Sequence, residues 1–401
     1  MKFFTVGGAV RDKFLGVESS DVDYVVTGST PKAMIEMGYK QVGADFPVFL
    51  NAAGDEFALA RREKKTGEGY HGFAVEFDPA VTLKEDLFRR DLTINAMAQD
   101  FFDELHDPFN GRADITDKIL RAVNPNAFKD DPVRVLRLAR FAARLGPDWS
   151  IDSATLSAAR DCSNAGEMKN LTPERVWKEL SRAIMEPWPE LFFQVLQDTW
   201  ALMDVFSIID DMFWIPERTD YHPEGNTFAH TMLVLQQAVK SDADSLDLRM
   251  AALTHDFGKV ATAVDKLPSH PGHEKDGVPL VEKFCDDYRL PTQMKKKLAL
   301  ICRWHMHMHK WNELKASTKA KVLKNFDAET FTFLIELGKC DARGRLYQEE
   351  ADLSKFDMIQ ADADKFFAVR FSDVFAGVDV SEMSGDLIGQ QMHQAKVRAM
   401  K

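Results

Sequence analysis

The chain has 401 residues, enough for two or more domains with ample core, and its 45% hydrophobic and 28% charged content is ordinary for a globular protein. No apolar run reaches the length of a membrane span, and a net charge of -12 argues against indiscriminate nucleic-acid binding, because phosphate neutralisation needs Lys and Arg. The opening Met-Lys-Phe-Phe-Thr-Val-Gly-Gly reads as no signal peptide, and Cys162, Cys285, Cys302 and Cys340, without a Cys-x-x-Cys, read as reduced structural thiols of a cytoplasmic protein.

Residues 1 to about 120 mix short β-rich runs, 23–27, 48–50, 56–60 and 74–77, with Gly- and Pro-containing turns, the pattern of a small α/β domain. Within it, Gly7-Gly8 precedes Asp21-Val22-Asp23 by about a dozen residues. Without side chains, the glycines let backbone N–H groups approach a triphosphate closely. Two carboxylates spaced by two on a strand point to one face, and paired oxygen ligands suit Mg²⁺ and in-line nucleotidyl transfer. A second cluster, Arg89-Arg90-Asp91-Leu92-Thr93-Ile94-Asn95, offers Arg90 to a triphosphate or ribose and Asp91 as a cap or orienting group. Between them, residues 61–73 combine three glycines with many charges, as a mobile loop does.

From about 130 the chain reads as mostly helical, with breaks near 186–189 and 214–225. Arg134, Arg137, Arg140 and Arg144 fall within one ~120° arc of a helix, opposite Val135, Leu138, Ala139, Ala142 and Leu145. Pro132 suits the first turn of that helix. Asp131 and Arg134 flank one turn and are expected to pair, a carboxylate and a guanidinium offering acceptor and donors to a base edge.

The last part of the chain holds His230, the doublet His255-Asp256 followed by Gly258-Lys259, then His270, His273, His305 and Asp341. An unpaired carboxylate in an apolar helix is costly, so the doublet points to a bound metal that polarises phosphate and activates water. The alternation His305, His307, His309 reads as a solvated helix end in preference to a metal trap. Residues 293–324 hold nine Lys or Arg against one Glu, with Trp304 and Trp311 interleaved, and read either as a solvated helical face or as a patch for a nucleic-acid backbone.

Taken in order, Gly-Gly-Ala-Val-Arg-Asp, Asp-Val-Asp, Arg-Arg-Asp-Leu-Thr-Ile-Asn-Ala, Asp-Pro-Phe-Asn-Gly at 107–111, Asp-Asp-Pro-Val-Arg-Val-Leu-Arg and Thr-Pro-Glu-Arg-Val-Trp-Lys-Glu at 172–179 make the chain resemble the bacterial class II CCA-adding enzymes, the tRNA nucleotidyltransferases. The order His…His-Asp…Asp resembles the HD phosphohydrolases, a domain carried by one bacterial subgroup of that family. The resemblance implies an α+β chain: a polymerase-β-like nucleotidyltransferase head over 1–125, an all-α neck and body over 126–215, and an all-α HD domain with a helical C-terminal region over 216–401. It implies that Asp21 and Asp23 are catalytic and hold Mg²⁺. It assigns Gly8, Arg11, Arg90, Arg137 and Arg140 to CTP or ATP, and gives Asp131 and Arg134 the base edge, so that protein serves as template. The family usually has Glu at Asp130, where the shorter carboxylate bears on how Arg134 is held.

The loop at 61–73 matches the one that helps the family switch from CTP to ATP. His230, His255, Asp256 and Asp341 become ligands of a second divalent metal. Phosphatase, 2′-nucleotidase and 2′,3′-cyclic phosphodiesterase activities are implied there, with nickel preferred for the phosphatase. The implied partners are tRNA, CTP and ATP, with no membrane; the oligomeric state stays open, a homodimer included. The alternatives are a poly(A) polymerase of the same superfamily, an HD hydrolase whose head only binds RNA, and a non-catalytic tRNA-binding protein.

Overall fold

The computed structural model describes every residue except 20–21, 44–47, 66–72 and 242–243, and for 63–65 and 73–76 it describes the backbone only. The chain divides into two compact units, Met1–Val205 and Phe206–Lys401.

The first unit is built on β1 (Lys2–Val6), β2 (Asp23–Thr27), β3 (Lys40–Val42), β4 (Val48–Leu50), β5 (Glu56–Leu59), a separate hairpin of β6 (Arg62–Lys65) and β7 (Phe73–Glu76), then β8 (Ala98–Gln99) and β9 (Leu105–His106). The main sheet runs β3-β4-β5-β2-β1-β8-β9, with β2 and β5 parallel and the other neighbours antiparallel. All four β-rich runs expected from sequence are strands. Alternation along β1 and β2 gives the sheet two apolar faces. Phe4, Val6 and Val25 pack with Leu87, Ala96 and Ala98 on one side, and Val26, Phe57, Leu59, Phe49 and Met34 form the core on the other.

Helices complete this unit. Val133–Leu145 buries Val135, Leu136, Leu138 and Ala139 against the helices Pro173–Met185 and Pro189–Asp198. Pro132 caps it, one residue before its first turn. The Asp-Pro-Phe-Asn-Gly segment braces the head: the Asp107 carboxylate accepts the Gly111 and Arg112 N–H groups (2.7 and 2.9 Å). That turn starts the helix Gly111–Thr116, whose Asp114 accepts from the Thr93 hydroxyl at 2.6 Å and so anchors the Arg-Arg-Asp segment.

In the second unit the described residues form helices and turns, apart from one isolated bridge between Pro216 and Asn226. Helices Thr227–Ser241, Leu246–Thr254, His273–Asp287, Thr292–Trp304 and Ala328–Arg343 pack around Val234, Leu235, Leu253, Phe257, Leu298 and Leu334, all buried. Among the described residues no helix is long and apolar enough to cross a membrane. The fold is therefore the expected α+β one: a head built on a small sheet, a helical body, and an all-helical second unit.

Candidate functional site

In the head, strand register brings the two sequence motifs together. Val6 pairs with Asp23, so the glycine turn that follows Val6 lies beside the start of β2. Asp23 is exposed and shares the strand face of Val25, the side on which Leu87 and Ala96 pack. Asp21 lies outside the described residues. Gly7 has φ 70 and ψ -123, and a Cβ there would sit 2.8 Å from Arg90 Nη1. Only glycine accepts both the conformation and that neighbour.

The cationic groups around this turn are held from behind. Arg90 Nη2 reaches Asp86 at 3.4 Å, while its buried Nε has no partner. Arg11 is 4% exposed and donates to Asn95 Oδ1 (2.6 Å) and Asp12 Oδ1 (2.9 Å). Asp91 orients the cluster: Oδ1 accepts from the Leu92 N–H and Asn95 Nδ2, and Oδ2 accepts from Arg137 Nε at 2.8 Å. Burial pushes the Asp91 carboxyl up, but Arg137 and these hydrogen bonds outweigh it and hold the group well below the usual carboxylate range.

The arginine stripe is not a solvated face. Arg140 is 7% exposed and meets Glu179 (2.7 Å) and Glu186 (3.6 Å); Arg144 meets Asp12 at 3.1 Å. Nor do the Asp131 and Arg134 side chains pair with each other. Arg134 Nη2 donates to the Arg89 carbonyl (2.7 Å), and Asp131 Oδ2 accepts from Arg175 Nη2 (2.7 Å). One turn of helix does not suffice, because Asp131 is extended (φ -140, ψ 99) and stands outside the helix that carries Arg134. Arg175 and Glu179 are the residues that sequence reasoning missed here. Their signal was the spacing of four in 172–179, which puts both on one helix face.

In the second unit, His230, the doublet His255-Asp256 and Asp341 come together from three separate segments. His230 Nε2 lies 3.3 Å from Asp341 Oδ1 and 3.7 Å from Asp256 Oδ2; His255 Nε2 lies 3.2 Å from Asp256 Oδ2. All four are buried. The second nitrogen of each ring is fixed: His255 Nδ1 donates to the Ala252 carbonyl (2.9 Å), and His230 Nδ1 to Glu224 Oε1 (3.0 Å). Both Nε2 atoms are thereby aimed at the carboxylates, the arrangement that metal-binding histidines take. Two of these buried atoms, His255 Nε2 and Asp341 Oδ1, have no hydrogen-bond partner. Buried polar atoms are rarely left so, and a divalent cation among them would satisfy both. Burial alone would lower the His230 pKa, but Asp341 and Glu224 raise it to about 9, a proton standing where a cation would.

Asp256 is the hub. Its Oδ2 also meets Lys259 Nζ at 2.7 Å, and Lys259 meets Glu217 at 2.7 Å. Its Oδ1 faces His273 Nε2 (3.2 Å) and His305 Nε2 (3.5 Å), which lie 3.2 Å apart. Both of those rings donate Nδ1 to a backbone carbonyl, of His270 and Cys302. His305 is 2% exposed, which corrects the expectation of a solvated helix end. Its place was readable, since Met294, Leu298, Ile301, Cys302 and His305 share one buried helix face. Gly258 admits the close approach of the His273 carbonyl, which a Cβ would block. A cleft of about 730 Å³ opens onto this cluster, with Arg218, Tyr221, His222, His309, Lys310 and Arg345 on its walls. The basic stretch at 293–324 is split: Lys296, Lys310, Lys315, Lys321 and Lys324 are exposed, while others are engaged within the fold. Lys295 and Lys297 pair with Asp286 and Asp247, and the buried Trp311 and Lys319 share Asp362.

Comparison with known proteins places both units. Family profiles match residues 3–121 as a poly A polymerase head domain, 148–213 as a probable RNA and SrmB-binding site of polymerase A, and 227–368 as an HD domain. The multifunctional CCA protein of Thioalkalivibrio sulfidiphilus is 45% identical, covering 100% of this chain and 98% of the relative. That of Acinetobacter baumannii is 41% identical over 100% and 97%. The chain belongs to the multifunctional CCA protein family. As a member it is an enzyme, a nucleotidyltransferase joined to an HD domain, and both kinds of domain imply dependence on divalent metal. Among solved structures, the Thermotoga maritima CCA-adding enzyme complexed with tRNA is similar in fold, with a TM-score of 0.65 at 18% identity over 100% of this chain and 87% of that one. A CCA-adding enzyme with CTP also gives 0.65, at 19% identity over 100% and 87%.

Proposed function

We propose that the chain adds and repairs the 3′-terminal CCA of tRNA from CTP and ATP, releasing pyrophosphate, without a nucleic-acid template. The observation that carries this reading is the register Val6–Asp23, which sets a glycine turn and a carboxylate side by side under Arg90. Asp23, with Asp21, would hold Mg²⁺, which supplies charge neutralisation at the attacking and leaving oxygens when bound. The backbone at Gly7-Gly8 and the Arg90 guanidinium bind the triphosphate. Arg11 is committed to Asn95 and Asp12, so it braces the turn from beneath. Asp131 accepts from the amino group of cytosine or adenine, Arg134 donates to the neighbouring ring nitrogen, and Arg137 and Arg140, on the helix of Arg134 and paired with Asp91 and Glu179, add positive charge for the nucleotide. The head ends near residue 125 and the base-reading body near 215. The test is purified protein with tRNA lacking CCA. CTP alone should add two residues, and CTP with ATP three; addition of a long A tract from ATP alone would favour the poly(A) polymerase alternative.

A second reading is favoured by the orphaned His255 Nε2 and Asp341 Oδ1. We propose that His230, His255, Asp256 and Asp341 hold a divalent metal, with nickel the first candidate, and hydrolyse phosphomonoesters and 2′,3′-cyclic phosphates. When bound by these residues, a divalent metal would supply a Lewis acid for the phosphate and an activated water. Glu224 fixes the His230 tautomer, Lys259 keeps Asp256 ionised, and Arg345 and Lys310 on the cleft wall attract the phosphate.

A further inference from the structure

We infer that Arg175 is a positioning residue for base selection, acting on the incoming nucleotide through Asp131. The inference rests on the base-edge reading above and adds a residue to it. Asp131 is the acidic member of the pair that meets the base, and its backbone is not held by the helix that carries Arg134. It is extended, it stands between two helices, Ala127–Asp130 and Val133–Leu145, and its side chain is partly exposed at 22%. Exposure suits a group that must touch a ligand, yet it leaves the carboxylate free to turn unless something pins it. Two bonds do so from opposite ends. Oδ1 accepts the Val133 N–H at 3.3 Å, and Oδ2 accepts Arg175 Nη2 at 2.7 Å. A carboxylate has about four lone-pair directions, so both oxygens keep room for a donor from a base.

The helix Pro173–Met185 is shaped for this role. Arg175 and Glu179 are four apart and lie on one face. Glu179 takes the two arginines, Arg137 and Arg140, while Arg175 takes the single carboxylate, Asp131. The facing helix thus answers Arg137, Arg140 and Asp131 with the opposite charge, while Arg134 is held by the Arg89 carbonyl. Fixing Asp131 matters because selection here is a matter of sign. Cytosine and adenine present an exocyclic amino donor where uracil and guanine present a carbonyl oxygen. A carboxylate held in place accepts from the first pair and repels the second; one that can swing aside repels nothing. Arginine suits the post, since its planar fork fixes the orientation of a carboxylate, whereas lysine supplies a point charge.

The test is selectivity, measured as incorporation of UTP and GTP relative to CTP on tRNA lacking CCA. In Arg175→Met misincorporation should rise at least about tenfold, the lower range of a lost base-edge contact. The KM for CTP, set by the triphosphate, should move less than about threefold. Arg175→Lys should fall between Met and wild type. The double variant Asp131→Asn/Arg175→Met should be no less selective than Asp131→Asn alone, since both act on one group. Wild-type selectivity in either folded Arg175 variant, alongside relaxed selectivity in Asp131→Asn, overturns this inference and leaves the base-edge reading standing. Wild-type selectivity in Asp131→Asn overturns both. Should Arg175→Met not fold, Arg175→Lys decides by itself.

Discussion

The two candidate metal centres of this chain are built on opposite plans. In the head, Asp23 is exposed at the start of a strand, and the buried charges behind it, Arg11 with Asp12 and Arg137 with Asp91, are already matched among themselves. In the second unit the ligand atoms are themselves buried, and two of them, His255 Nε2 and Asp341 Oδ1, have charged neighbours but no hydrogen bond. An exposed carboxylate costs nothing when empty, so the head can take its metal together with each nucleotide. Buried, unsatisfied ligands are expensive when empty, so the histidine cluster is a site for a resident ion. The contrast predicts that the head depends on metal for activity alone, and the second unit for both activity and stability.

The largest effect should come from Asp23→Ala. CCA addition should fall by roughly a thousandfold or more, while thermal stability and phosphoester hydrolysis stay at wild-type levels. Because the Asp23 side chain is exposed, a drop in melting temperature would place it in the frame of the head instead of its chemistry.

The mirror-image variant, His255→Ala with Asp256→Ala, should eliminate hydrolysis of 2′,3′-cyclic phosphates with Mg²⁺, Mn²⁺, Co²⁺ and Ni²⁺ and spare CCA addition. It should also cost stability. Losing Asp256 removes one of two carboxylates from the buried Lys259, a loss of about 2–3 kcal/mol, less than for a fully unpaired charge because Glu217 remains. Denaturant melts measure it; an unchanged midpoint would show that the Asp256–Lys259 contact adds nothing. If the wild-type protein hydrolyses none of these esters with any of the metals, the cluster is structural.

Arg134→Ala should act more narrowly. Misincorporation of UTP and GTP should rise about tenfold with little change in triphosphate binding, whereas Arg90→Ala should weaken binding and keep selectivity. Steady-state incorporation with each nucleotide separates the two.

How much of this was open to reading from sequence follows the same contrast. The head's features are local: Gly7-Gly8, the β-branched run after Asp23, and the Arg-Arg-Asp segment each announce their own chemistry, and a single strand register joins them. The partners that hold them are not local. Glu179 and Arg175 reach the stripe from another helix, and a stripe of arginines looks solvated until its carboxylates are seen. In the second unit the doublet His255-Asp256 was legible because an unpaired carboxylate in an apolar helix demands a reason. His273 was not, since it opens a helix after a glycine turn, and His305 was misread, since it begins an alternation that mimics a polar helix end. The apolar face running from Met294 to Cys302 gave the better clue to His305.

The smallest effect concerns pH in metal-free protein. Burial lowers the His305 pKa to about 4, so its contribution is complete above the ordinary value of 6.5 and is lost as pH falls toward 4. His230, raised to about 9 by Asp341 and Glu224 against its burial, contributes fully below 6.5 and loses that contribution as pH rises through 9. Without metal, the second unit should be most stable near pH 6.5 and lose stability on both sides; melts from pH 5 to 9 in chelator check this. In the head, Asp91 lies below the usual carboxylate range, so its contribution persists to about pH 4 and is lost only in stronger acid.

Metal retained after exhaustive dialysis tests the contrast most directly. Wild type and Asp23→Ala should keep the same transition-metal content per chain. His255→Ala with Asp256→Ala should keep none, and chelation should lower the melting temperature of wild type by roughly 5–10 °C without changing that of the double variant. Metal content that follows Asp23 instead of the histidine cluster, or a melting temperature indifferent to chelator, would contradict the assignment of the resident ion to the second unit.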